Sequence, residues 1–316
     1  MITVVVVLAL VLAAAAVPAA VPLVGRVRPS IVVPLLAAGA LTSAVAVGVV
    51  LALLGVSVLG RIPVVAAVGG WSVNALQVAV PVPLTVGAVA GVVALLLIAR
   101  TLRRAAQIVR LLTRSEQLCR RLRSGGGPIV IVDDDAADAF TLAGVKGCVV
   151  ISRGLLQALG PTEKRMLTGH ELSHLRRRHH LYVHAVDLAV AANPLLRGAG
   201  TAVRLGVERW ADEDAVPATG DRAAAAAALA RTALIRSALR RGRTRHTDRV
   251  VPALGAVTSH VTERARALLT PAPRGAAVTA TVTALLLGTI AATVAAVLQI
   301  YSGFELAELA WWASGS

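Results

Sequence analysis

Near the middle of the chain two histidines stand four residues apart, with a glutamate directly after the first: His170-Glu171-Leu172-Ser173-His174. On a helix, positions i and i+4 share a face, so His170 and His174 can hold one metal ion between them. Glu171 then lies beside the ion, where a carboxylate can take a proton from an attacking water. That chemistry is metal-assisted hydrolysis, and one Zn2+ ion is the expected cofactor. The competing reading is an exposed polar helix face, since Arg176, Arg177, Arg178, His179 and His180 follow at once.

A catalytic zinc takes three protein ligands and leaves one position open. The carboxylates after His174 and before residue 220 are Asp187, Glu208, Asp212, Glu213 and Asp214. Glu208 and Asp212 are four apart, on one face of a helix expected over 205–216. Glu208 can bind the metal while Asp212 accepts a hydrogen bond from a ligand imidazole, which fixes its tautomer and raises its basicity. Asp187 is expected on the same helix as the motif, too far along it to fold back. Glu213 and Asp214 are expected to face solvent. His179, His180, His184, His246 and Tyr182 are oxyanion donors by residue type alone, with a surface or membrane-interface role expected for each.

These residues need elements to carry them. The motif helix should start at Pro161-Thr162 with Thr162 as its cap, and bury Met166, Leu167, Leu172 and Leu175. Before it, β-branched content marks strands at 129–132, 139–142 and 148–152, then a short helix from Arg153 to Leu159 capped by Ser152. Asp133, Asp134 and Asp135 read as a solvated turn rather than a cation site, because consecutive side chains cannot all point at one ion. After the site, Asp221 should cap an alanine-rich helix from Arg222 to about Arg241, with Leu229, Leu234, Ile235 and Leu239 apolar. A further helix is expected over 257–269, and Pro271-Ala-Pro273 separates it from the last apolar run.

Composition places this domain at a membrane. Of 316 residues 56% are hydrophobic and 16% charged, more apolar and less charged than a soluble domain. Uncharged runs cover 1–25, 31–60, 62–99 and 275–304. About 20 helical residues cross a hydrocarbon core, so about four spans are expected. A signal peptide is the alternative for the first run, but no Lys or Arg precedes it. In the third run, Pro81 and Pro83 make 83–99 the better helical part.

The net charge of +15 comes mainly from arginine, concentrated after the third run at Arg100, Arg103, Arg104, Arg110, Arg114, Arg120, Arg121 and Arg123. Positive loops stay inside, so residues 100–272 are expected in the cytoplasm and both termini outside. The basic segment reads as a helix continuing from the third span against anionic headgroups, with nucleic acid the weaker reading. Ser124–Pro128 reads as a hinge. Cys119 and Cys148 lack CxxC spacing and are expected as free thiols in a reducing compartment.

The expected fold class is a mostly α, multi-pass protein of the cell membrane with a cytoplasmic α+β zincin-like metallopeptidase domain carrying a small β-sheet. Its divisions are three transmembrane helices in 1–100, a basic juxtamembrane helix and hinge in 101–127, the peptidase domain in 128–272, a fourth transmembrane helix in 273–303, and a short extracellular tail in 304–316.

Several of these pieces together resemble the BlaR/MecR-type antirepressor metallopeptidases of bacterial membranes, and more distantly the HtpX and CAAX-prenyl endopeptidase group. They are Ala139-Phe140 before a hairpin, Val150-Ile-Ser-Arg-Gly-Leu-Leu156, HELSHLRRRHH at 170–180, Asn193-Pro-Leu-Leu196 and Glu208-Arg-Trp-Ala-Asp212. The resemblance implies zinc on His170, His174 and Glu208, Glu171 as general base and Asp212 behind a ligand. It also implies that the strand Ala139, Phe140, Thr141, Leu142 borders the cleft, where a peptide could add as a further strand. The β-lactam sensors of that group carry a penicillin-binding domain after the last span. Residues 304–316 offer no such domain and no Ser-x-x-Lys motif.

The implied partners are a protein or peptide substrate and the lipid bilayer, with a homo-oligomer or a separate sensor or repressor partner also open and no nucleic acid expected. Two other function classes compete. One is a non-catalytic membrane scaffold with a structural metal site, which would close all four metal positions with protein ligands. The other is a nucleic-acid-binding membrane regulator.

Overall fold

The structure, a computed structural model, describes residues 17, 21, 27–123, 127–134, 138–244, 254–270 and 276–313, with backbone alone in parts of the last three helices. Most of the first apolar run, part of the hinge (124–126), Asp135, His246 and the Pro271–Pro273 link lie outside them. Three helices among the described residues are long and apolar enough to cross a membrane. They are α1 (Pro29–Leu59), α4 (Leu84–Leu122) and, in its Ile290–Ala313 part, α11 (Ala276–Ala313). Between α1 and α4, the first half of the third run folds as two short helices, α2 (Pro63–Gly69) and α3 (Val73–Ala79). Pro83 then sets the N-cap of α4. The segment expected to be a tail is helical instead, because α11 runs on to Ala313, burying Ala307 and packing Phe304 edge-on against Trp71.

Both α1 and α4 are longer than a hydrocarbon core. At 1.5 Å per residue they extend about 46 and 58 Å, against about 30 Å for the core. The second half of α1 packs through Val50 and Leu54 on Ala90 of α4 and on Ala296 and Ile300 of α11. Its first half, Val32 to Ala44, packs instead on the two helices that follow the HELSH motif. The arginine-rich segment continues α4 without a break.

The end of α4 reaches the sheet. Strands β1 (Ile129–Val132), β2 (Ala139–Leu142) and β3 (Cys148–Ser152) pair in the order β1-β3-β2. β1 is parallel to β3, and β2 antiparallel. β3 is buried along its whole length, and β2 keeps one edge unpaired within this sheet. Cys119 of α4 and Cys148 of β3 are joined in a disulfide, with Cα atoms 5.9 Å apart. This corrects the expectation of free thiols: sequence spacing carries no information about a helix end lying over a strand 29 residues later.

After β3 come α5 (Arg153–Ala158) and α6 (Pro161–Arg176), the motif helix. Gly160 is the N-cap of α6 and Pro161 its first residue, so Thr162 does not cap it and instead accepts from Arg165. Arg178, at φ 51°, ends the run of helical backbone, and α7 (His179–Ala192) starts anew. Asp187 therefore lies on a separate helix from the motif. A 3₁₀ turn at Pro194–Leu196, held by Asn193 accepting from the amide of Leu195, leads to α8 (Arg197–Ala215). Finally α9 (Arg222–Thr244), capped by Asp221, and α10 (Leu254–Leu269) pack on α6 and α8.

Candidate metal centre

The site forms where α6 and α8 come close. Gly169 makes this possible: a Cβ there would stand 3.2 Å from the Cβ and 3.3 Å from the Cα of Ala215. The next residue, His170, and the face of α8 carrying Glu208 and Asp212 are thus brought together. His170, His174 and Glu208 each offer a ligand atom, all within 4.8 Å of one another. The two Nε2 atoms are 3.1 Å apart, and Glu208 carboxylate oxygens lie 3.5 Å from that of His170 and 3.6 Å from that of His174.

The donor set fits zinc. Two nitrogens about 2.0–2.1 Å from one tetrahedral ion stand about 3.3 Å apart, close to the observed separation. The rear nitrogens point the right way too. Nδ1 of His170 is 2.9 Å from Oδ1 of the buried Asp212, and Nδ1 of His174 is 3.2 Å from Nδ1 of His179. With each Nδ1 carrying the proton, both Nε2 lone pairs are free for a metal.

His179, expected at the surface, is 1% exposed and sits between His174 and the Trp210 ring. It packs behind the ligand His174 and also lines the cleft. Glu213 and Asp214, expected in solvent, are paired: Glu213 with Arg222, and Asp214 with Ser173 and Arg177.

Arg264, which the sequence did not single out, is central. Its Nε and Nη2 each reach the Asp212 carboxylate at 2.7 Å, and Nη1 lies 2.9 Å from Glu208. Arg222 holds it in place by clamping the end of α10, donating to the carbonyls of Leu268 at 2.7 Å, Ala267 at 3.1 Å and Thr270 at 3.2 Å. A signal was present in the sequence. Arg264 falls on the apolar face of its helix with Val261 and Leu268, and a cation there needs buried acids.

These contacts set the local electrostatics. Burial opposes charge on His170, but Asp212 and then Glu208 outweigh it and raise its pKa to about 9. Burial, followed by the charge on His170, holds His174 below its usual value. For Glu208, burial would raise the carboxyl, yet His170 and Arg264 bring it well below the usual range.

Glu171 is 7% exposed, and its Oε2 accepts from Thr141 Oγ1 at 2.9 Å; the same hydroxyl reaches its main-chain oxygen at 3.0 Å. A cleft of about 710 Å³ opens here. Ala139, Phe140 and Thr141 of β2 line it beside Glu171, His174, Glu208 and Arg264. Leu142 turns away, into the cluster around Cys119 and Val150.

Comparison with curated proteins gives no match, and neither does comparison with solved structures. The sequence model of peptidase family M48 matches residues 103–281, more than half of the chain and all of the centre just described. The chain belongs to peptidase family M48.

Proposed function

We propose that this protein is a membrane-embedded zinc endopeptidase that hydrolyses cytosolic or juxtamembrane proteins. One observation carries the reading: two imidazoles and a carboxylate converge on one point beside a glutamate at the floor of a cleft. His170, His174 and Glu208 would hold the metal. The chemistry supplied by bound zinc is Lewis acidity, which polarises a carbonyl and lowers the pKa of water. Glu171 takes the proton from the attacking water and returns it to the leaving amine. Thr141 fixes the carboxylate of Glu171, and Asp212 holds His170 in the ligating tautomer. A peptide added along the free edge of β2, over Ala139 to Thr141, would bring its carbonyl past Glu171.

The arginines beginning at Arg100 support a cytoplasmic face for the centre, with the chain multi-pass in the cell membrane and its termini outside. The motifs shared with the BlaR/MecR group support a regulatory role, with a repressor as substrate or a separate sensor as partner. Among the described residues three side chains rather than four converge on the metal position, which favours catalysis over a structural metal site.

The test uses the full chain in detergent. Zinc content is measured, and cleavage of an unfolded protein is compared with that by Glu171→Gln. One equivalent of zinc in both forms and cleavage by the wild type alone is the expected result. Zinc-free protein, or equal cleavage by the variant, would sink the proposal.

A further inference from the structure

The cleft has a second arm that hydrolysis as described leaves unused. Beyond Glu208 it runs between α7 and α8, where His180, His184, Thr201 and Arg204 line it with Val183 and Leu205. Its charge is set by two guanidinium groups sharing one carboxylate. Arg204 of α8 and Arg104 of α4 both bond Asp187 of α7. The Asp187 side chain is 11% exposed, whereas those of Arg204 and Arg104 are 51% and 40% exposed. The half-buried acid is thus satisfied, one positive charge remains in excess, Arg204 lines the arm and Arg104 stays partly exposed beside it.

A guanidinium has five N–H donors, so a bond from one nitrogen to Asp187 leaves Arg204 able to take a second carboxylate. Burial first and the neighbouring His184 second hold the pKa of His180 down, and burial, opposed in part by Asp187, holds that of His184 down, so both are neutral hydrogen-bonding groups at pH 7. Nδ1 of His184 is buried without a hydrogen-bond partner.

We propose that this arm is a specificity subsite for a carboxylate of the substrate, either an Asp or Glu side chain or a free C-terminus. The inference rests on the peptidase reading above. A substrate is the favoured occupant over a lipid headgroup because the arm is continuous with the cleft that holds Glu171 and Glu208. Since it leaves the metal centre in one direction, the preference falls on one side of the scissile bond.

The experiment profiles zinc-loaded full-length protein in detergent against a peptide library, half of it with amidated C-termini, and sequences the products. Wild type should favour Asp or Glu over Ala at one position, on one side of the cut, by about tenfold in kcat/KM, equivalent to about 1.4 kcal/mol. Cleavage at a fixed distance from a free C-terminus, abolished by amidation and without preference for an acidic side chain, would assign the carboxylate to the C-terminus.

Arg204→Gln, which leaves Arg104 on Asp187, should bring the ratio near one, and Arg204→Glu should shift it toward Lys and Arg. Arg104→Gln, on another helix, should lower it in the same direction. Thermal unfolding and zinc content check that each variant is folded. Cleavage by wild type with neither an acidic preference nor dependence on a free C-terminus, or an unchanged profile in folded Arg204→Gln, overturns the subsite alone. No cleavage by wild type, or the same profile from Glu171→Gln, overturns the peptidase reading and the subsite with it.

Discussion

Arg264 grips both oxygens of Asp212, through Nε and Nη2 at 2.7 Å each, while Oδ1 of the same carboxylate lies 2.9 Å from Nδ1 of His170. Asp212 can orient His170 because its own charge is balanced from behind. Removing one partner of a buried ion pair costs about 3–5 kcal/mol, and losing the group behind a metal ligand costs about 10–100-fold in affinity. Arg264→Ala should therefore lower both the melting temperature and the zinc affinity. Arg264→Lys should recover little, because an ammonium cannot make the paired contact. Chelator competition and thermal unfolding in detergent measure the two effects, and zinc affinity equal to wild type in Arg264→Ala would refute this role.

Thr141 tests a different part of the centre. Its hydroxyl reaches Glu171 but none of the ligating residues. A hydrogen bond to a charged group is worth about 1.5–3 kcal/mol, and Thr141→Val removes it with little change of shape. Cleavage should fall about tenfold or more in kcat while zinc content stays at one equivalent. A fall in zinc instead would mean that the strand supports the metal rather than the base.

The sequence exposed most of the local structure. The three strands lie where β-branched residues marked them, and Ser152 and Asp221 cap as expected. His170 and His174 share a face because i, i+4 spacing is a property of one helix and is written in order along the chain, and the same spacing marked Glu208 with Asp212 on a second helix. Contacts between elements were not legible. Nothing local tells that Cys119 meets Cys148, that Asp187 collects Arg104 and Arg204, or that Arg264 sits behind Asp212. The motif helix was also expected to continue through His179. Three consecutive arginines gave no sign of the left-handed residue Arg178, which turns the chain so that α7 starts with a buried histidine.

That histidine should make the zinc-free protein sensitive to acid. Burial, then repulsion from charge on His174, lowers the pKa of His179 from 6.5 to about 3. In the unfolded chain it takes a proton below about 6.5, and in the folded protein only near 3. Stability present above pH 6.5 is therefore lost as pH falls toward 3, at about 1.4 kcal/mol per pH unit. Between pH 6 and pH 4 the melting temperature of His179→Phe should fall less steeply than that of wild type. Equal slopes would place the acid sensitivity elsewhere, with His174, His180 and His184 the next groups to vary.

The same fold depends on a close crossing far from the metal. A Cβ on Gly55 of α1 would meet the Cα of Gly91 at 2.7 Å, and one on Gly87 would meet the main-chain oxygen of Leu54 at 2.8 Å. Small residues let two apolar helices approach until their backbones touch, which is how helices associate where lipid removes the hydrophobic drive. The first half of α1 is also the surface on which α7 and α8 pack, so a shift of α1 reaches the cleft. Gly55→Leu should destabilise the protein by about 1–3 kcal/mol, as overpacking does, and reduce cleavage. Gly48→Ala on the same helix meets nothing within 4 Å and should leave both unchanged. Unfolding in detergent of the two variants, side by side with wild type, separates the effect of the crossing from any general intolerance of α1 to substitution.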